Sequence, residues 1–127
     1  IYIAVGGQIQ FMISSDNTSY WAFGVNASNQ LIFKPESSTT NEQAGTTALA
    51  LNTWHHIAAV REGTGTNQFK MYLNGVLEKT GTVSTNYSVN VGAFIASGRT
   101  GGNNVFNGYI SNVRVVKGTA VYTAAFT

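Results

Sequence analysis

Phe69-Lys70-Met71-Tyr72-Leu73-Asn74-Gly75-Val76-Leu77-Glu78-Lys79-Thr80-Gly81 is the stretch whose reading decides the fold. Asn-Gly supplies the positive φ that both central positions of a type I′ turn require, so Asn74-Gly75 predicts a two-residue hairpin. The first arm alternates: Phe69, Met71 and Leu73 face one side, Lys70 and Tyr72 the other. The second arm, from Val76 to Val83, is more polar. Glu78 and Lys79 point to opposite faces there and are not expected to pair. A ribbon with one apolar side needs a second layer to cover it.

Working outward, the same texture recurs. Short apolar runs near 8–13, 20–25, 30–34, 47–51, 55–62, 90–96 and 106–117 are separated by Gly, Asn, Ser and Thr. No window sustains the i, i+3, i+4, i+7 apolar pattern of a helix. Pro35 is the one proline. Many short strands with turn-rich connections predict an all-β sandwich or barrel. Trp54-His55-His56-Ile57-Ala58-Ala59-Val60-Arg61 is apolar on both faces through its middle, which predicts a strand covered on two sides. In Gly108-Tyr109-Ile110-Ser111-Asn112-Val113-Arg114-Val115-Val116-Lys117, Ile110 and Val113 cannot share a face at strict period two. A bulge at Ser111-Asn112 would reconcile them. Gly118 to Thr127 reads as a short turn or closing tail.

Charged residues make up 9% of the 127 positions and the formal net charge is +2, against about 25% charged in ordinary soluble domains. Thr, Asn, Ser and Gly together supply 52 of the 127 residues, so the surface draws its polarity from uncharged groups. That excludes the basic footprint of a nucleic-acid binder. No apolar run reaches the roughly 18 residues a membrane helix needs. With no cysteine there is no disulfide, thiol nucleophile or thiolate metal site.

Two segments carry a family likeness. One is Trp54-His55-His56-Ile57-Ala58-Ala59-Val60-Arg61 followed by Met71-Tyr72-Leu73-Asn74-Gly75. The other is Phe106-Asn107-Gly108-Tyr109-Ile110-Ser111-Asn112-Val113-Arg114-Val115. Together they resemble the laminin-G-like branch of the concanavalin-A-like lectin/glucanase superfamily, from about Ala50 to Thr127. Residues 1–49 fit by composition. The ending Lys117 to Thr127 resembles laminin-G-like segments of phage tail-fibre and other virion surface proteins. The resemblance implies a two-sheet antiparallel jelly roll with Trp54 in its core and Asn74, Gly75, Gly108 and Ile110 in structural roles. It implies one such domain over 1–127, short of amino-terminal strands or cut from a longer chain. Where the family often has an acidic residue after its Gly-x-Ile, this chain has Ser111.

The chemistry the residues permit is limited. Glycosidases need two carboxylates flanking the bond, one as acid and one as nucleophile or base. Asp16, Glu36, Glu42, Glu62 and Glu78 include no pair two residues apart, so an enzyme is not expected. His55 and His56, adjacent on a strand, point to opposite faces and cannot chelate one metal together. No cofactor is expected. Calcium wants six to eight oxygens with carboxylate charge, and Asp16, the sole aspartate, would make only a weak site.

Sugar recognition takes an aromatic platform ringed by polar groups. The candidate ligand-binding residues are Asp16, Asn17 and Tyr20 in one loop region and Arg99, Asn103 and Asn104 in another, with Trp21 expected in the core. The expected function is a non-enzymatic virion surface module, on a phage tail fibre or as capsid decoration, contacting a cell-surface glycan or receptor or neighbouring subunits. The alternative is a carbohydrate-binding or adhesion module of a bacterial extracellular protein. Expected partners are other virion or surface-protein subunits in an oligomeric assembly. Nucleic acid and membrane insertion are not expected.

Overall fold

The computed structural model describes residues 1–15, 20–35, 41–87, 92–98 and 104–127. Among the described residues the strands are β1 (Tyr2–Ile3), β2 (Gln10–Ser15), β3 (Ala22–Val25), β4 (Gln30–Lys34), β5 (Gln43–Ala48), β6 (Ile57–Arg61), β7 (Phe69–Leu73), β8 (Val76–Gly81), β9 (Ala93–Ile95) and β10 (Gly108–Tyr109). All the strand pairings are antiparallel.

The hairpin forms as the sequence predicts. Asn74 and Gly75 have φ of 50° and 80°, and β7 pairs β8 with Leu73 opposite Val76. Phe69 and Met71 face the core. Tyr72, on the opposite face, is also fully buried, because the chain's last residues return over it. The Phe126 ring lies 5.5 Å from that of Tyr72. On β8 the register slips so that Met71 opposes Lys79 and Tyr72 opposes Leu77, which leaves Glu78 as the extra residue of a bulge.

β5-β4-β3-β2-β9 form one five-stranded layer. The β3–β4 turn is set by Asn26, whose Oδ1 accepts from the Ser28 and Gln30 amides at 2.9 and 3.0 Å. Asn29, which adopts a φ of 58°, completes it. β3 is buried along its whole length. Its sheet packs Phe23, Val25, Leu31 and Phe33 into the main core, and Phe11, Ala22 and Ile32 form a second cluster with Tyr20 and Ala44.

The facing layer consists of β6-β7-β8 and the pair β1-β10. Tyr2 bridges Trp54. The His55 amide donates to the Ile1 carbonyl at 2.7 Å, and the Ile1 nitrogen donates to the His55 carbonyl at 2.7 Å. These contacts place β1 between β10 and the start of β6. Phe33 of one layer meets Phe69 of the other at 4.7 Å between ring centres, and Ile3, Met12, Met71, Val83 and Phe106 complete the core. Full burial of each such side chain stabilises the fold by about 1.5–3 kcal/mol relative to exposure. The architecture is a two-layer antiparallel jelly-roll sandwich.

Four expectations need correction. Trp54 is not in the core: 55% of its surface is exposed, because its isolated bridge to Tyr2 leaves it on the outer face, opposite the buried Ile3. β6 is covered less than expected, with Ala59 exposed. The strand predicted over 106–117 shrinks to Gly108–Tyr109. Beyond it Asn112 turns to a φ of 54°, and Val113, Val115 and Val116 are exposed. Val-rich sequence forms strand only where a neighbour offers pairing and cover, and 111–117 has neither among the described residues. Finally, β5 covers 43–48 rather than 47–51.

Candidate functional site

The register of three short segments builds the most distinctive surface. Tyr2 lies opposite Tyr109 on one side and opposite Trp54 on the other. Directly opposed residues project from the same face of a sheet, so Trp54, Tyr2 and Tyr109 form one row. The ring centres are 5.8 Å apart for Tyr2–Trp54 and 5.4 Å for Tyr2–Tyr109, tilted 57° and 62°. Trp54 and Tyr109 are 55% and 65% exposed. At one flank the Tyr2 hydroxyl donates to Asn52 Oδ1 at 3.3 Å, and Asn52 holds a φ of 56° in the turn before Trp54.

The row rests on a fixed base. Ile3, the neighbour of Tyr2 on the strand, points the other way and is fully buried. Gln10, also fully buried, donates from Nε2 to the Val5 carbonyl at 2.6 Å and accepts from the Asn107 amide at 2.7 Å. The Ala4 amide donates to the Asn107 carbonyl at 2.9 Å. At Gly108 a β-carbon would collide with the Tyr2 carbonyl, so glycine allows β10 its approach to β1. Ile110 is half-buried against the main core.

The residues picked from sequence for ligand contact are not gathered there. Asp16, Asn17, Arg99 and Asn103 lie outside the described residues. Tyr20 packs against the cluster of Phe11, Ala22 and Ile32. Asn104 is exposed with a φ of 52°. Its carbonyl accepts from the Phe11 amide at 2.9 Å, and it borders a surface depression with Gln8, Ile9 and Val105. Trp21 is half-buried and stacks on Phe33 at 6.3 Å. The aromatic row escaped sequence reasoning because its members come from positions 2, 54 and 109. Their adjacency exists only in the sheet register.

The described carboxylates are each held by a structural partner. Glu42 meets Lys34 at 3.3 Å and Glu62 pairs with Lys70. Glu78 Oε1 accepts from the Thr46 and Thr47 amides at 2.5 and 2.6 Å, joining β8 to the edge strand β5. Burial raises the Glu78 pKa, but these hydrogen bonds outweigh it and hold the carboxyl below its ordinary range. His55 Nε2 lies 3.0 Å from the Ala50 carbonyl, and the exposed His56 ring meets Phe126 edge-on at 5.2 Å. No three His, Asp or Glu side chains converge among the described residues.

A sandwich of this topology, with its Trp-His-His segment, Asn-Gly hairpin and Gly-Tyr-Ile segment, belongs to the concanavalin A-like lectin/glucanase superfamily. The family model that matches it, of the laminin-G type, covers residues 2–121. The likeness therefore reaches through the amino-terminal half, well beyond the motif-bearing region from Ala50. No curated protein and no solved structure gives a significant match. Members of this laminin-G-like branch are generally binding modules without catalysis.

Proposed function

We propose that this chain is a non-enzymatic binding module of a virion surface, on a tail fibre or as capsid decoration, and that its aromatic row contacts a glycan receptor. The observation that carries the glycan reading is the row itself: Trp54, Tyr2 and Tyr109 side by side, two of them more than half exposed. Exposed aromatic faces match the apolar faces of pyranose rings, and Asn52 offers an amide beside them for hydroxyls. The engagement of Glu42, Glu62 and Glu78 in structural contacts supports a role without turnover. The virion setting rests on the resemblance of the last eleven residues to phage fibre proteins.

The test is a glycan array probed with the chain, followed by titration of any hit. Trp54→Ala and Tyr109→Ala are each expected to lower affinity at least about tenfold, the scale of about 1.4 kcal/mol. Arg99→Ala and Asn103→Ala probe the alternative loop site. Unchanged binding in the first pair with loss in the second would move the site to that loop. Images of the intact particle would place the chain on tail or capsid.

A further inference from the structure

One side of the sandwich is closed without main-chain pairing. β5 is the outer strand of the five-stranded sheet, and β8 is the outer strand of β6-β7-β8. Among the described residues no main-chain hydrogen bond joins the two. The hydrogen bonds between them all end on Glu78. Its Oε1 accepts from the Thr46 and Thr47 amides at 2.5 and 2.6 Å and from the Thr46 hydroxyl at 3.3 Å.

Two facing bulges make this contact. On β8 Glu78 is the extra residue. On β5 Gly45, Thr46 and Thr47 stand where β4 offers Leu31 alone, between the pairs Ile32–Ala44 and Gln30–Ala48. Consecutive amides, which a regular strand aims to opposite sides, here converge on one oxygen, as in the main-chain nests that hold anions. A β-carbon on Gly45 would lie 2.8 Å from Cγ and Oε1 of Glu78, so glycine leaves the carboxylate its place.

No cation shares the contact among the described residues. β5 has no charged residue, and β7 meets the bulge with Met71 and Tyr72. Lys34 is taken by Glu42 and Lys70 by Glu62, while Lys79 beside Glu78 forms no ion pair among the described residues. The charge is therefore held by N–H and O–H donors, whose bonds are about twice as strong to an ionised acceptor as to a neutral one. Burial acts to raise the Glu78 pKa and the amide bonds more than offset it, so the carboxylate stays charged to below about pH 4.3.

We propose that Glu78 is a pH-operated latch: charged, it holds the two sheet edges together, and neutral, it lets β5 and β8 part while the core stays packed. The main core cluster takes no residue from 43–48 or 76–81, so the seam can open as a local unit. Opening frees the Thr46 and Thr47 amides on an edge strand, the kind of edge that folded sheets keep guarded. The aromatic row stands on β1, β10 and Trp54, which makes the latch independent of the glycan reading.

The test is amide hydrogen exchange on the 127-residue chain from pH 7 to pH 2, expressed as protection relative to an unstructured amide. Thr46 and Thr47 are expected to lose at least about tenfold in protection below about pH 4, while Phe23, Val25 and Met71 stay protected. In Glu78→Gln the two threonine amides should be underprotected already at pH 7 and show no further step on acidification. Gly45→Ala crowds the carboxylate without removing its charge and should open the seam at pH 7. Loss at Thr46 and Thr47 only together with Phe23, Val25 and Met71, or full protection at pH 3, would overturn the proposal. So would an unchanged acid step in Glu78→Gln, or parent-level protection in Gly45→Ala.

Discussion

Gly75 and Phe126 are locked main chain to main chain: the Phe126 amide donates to the Gly75 carbonyl at 3.0 Å, and a β-carbon on Gly75 would collide with the Phe126 carbonyl. The turn glycine therefore serves two ends, a φ of 80° for the hairpin and close approach for the returning tail. Gly75→Ala is expected to cost about 1–3 kcal/mol in urea unfolding. In a chain ending at Gly118 the same substitution should cost less, since only the turn strain remains. Equal costs in both backgrounds would show that the tail contact contributes nothing.

Glu78 ties β8 to β5, and its sign with pH is fixed. Its folded pKa is depressed, so its stabilising contribution is present above the unfolded value of about 4.3. That contribution is lost as pH falls through the folded value. Glu78→Gln is expected to lower stability at pH 7, with the gap to the parent chain closing at pH 3. A gap that stays constant in urea titrations at both pH values would contradict this linkage.

Among the described residues the buried Tyr72 hydroxyl has no hydrogen-bond partner. A buried polar atom left unpaired carries a desolvation penalty. Tyr72→Phe is therefore expected to be neutral or stabilising by up to about 1 kcal/mol. A loss greater than about 1 kcal/mol in thermal unfolding would mean that the hydroxyl is bonded in solution.

Trp54 and Trp21 should separate spectroscopically. Trp54 is more than half exposed while Trp21 stacks on Phe33. Trp54→Phe is expected to remove most of the iodide-quenchable fluorescence and to change stability by no more than about 0.5 kcal/mol, as for an ordinary surface change. A larger loss of stability, with quenching retained, would put Trp54 back in the core.

What the sequence made legible follows from range. Asn74-Gly75 announces its turn because the φ requirement is local, and the alternation from Phe69 to Leu73 announces which side chains face the core. Trp54 misled because its place in the core was taken from the family resemblance, whereas its exposure is decided by a bridge to Tyr2. Val113, Val115 and Val116 misled because valine content reports fitness for a sheet, not the presence of a neighbouring strand. The aromatic row could be found only once positions 2, 54 and 109 were brought into register. The covering of Tyr72 likewise depends on Phe126 returning from the far end.

The pairing of Tyr2–Ile3 with Gly108–Tyr109 also bears on how the chain acquires its shape during synthesis. The meanders β2-β3-β4-β5 and β6-β7-β8 join sequence neighbours and close small loops, which favours rapid formation. The pairing of β1 with β10 must wait until Gly108–Tyr109 has left the ribosome, and the large loop it then closes carries the greater entropic cost. Chains stalled before Tyr109 should therefore hold both hairpin systems while residues 1–3 are cut faster by proteases than in chains that include Tyr109.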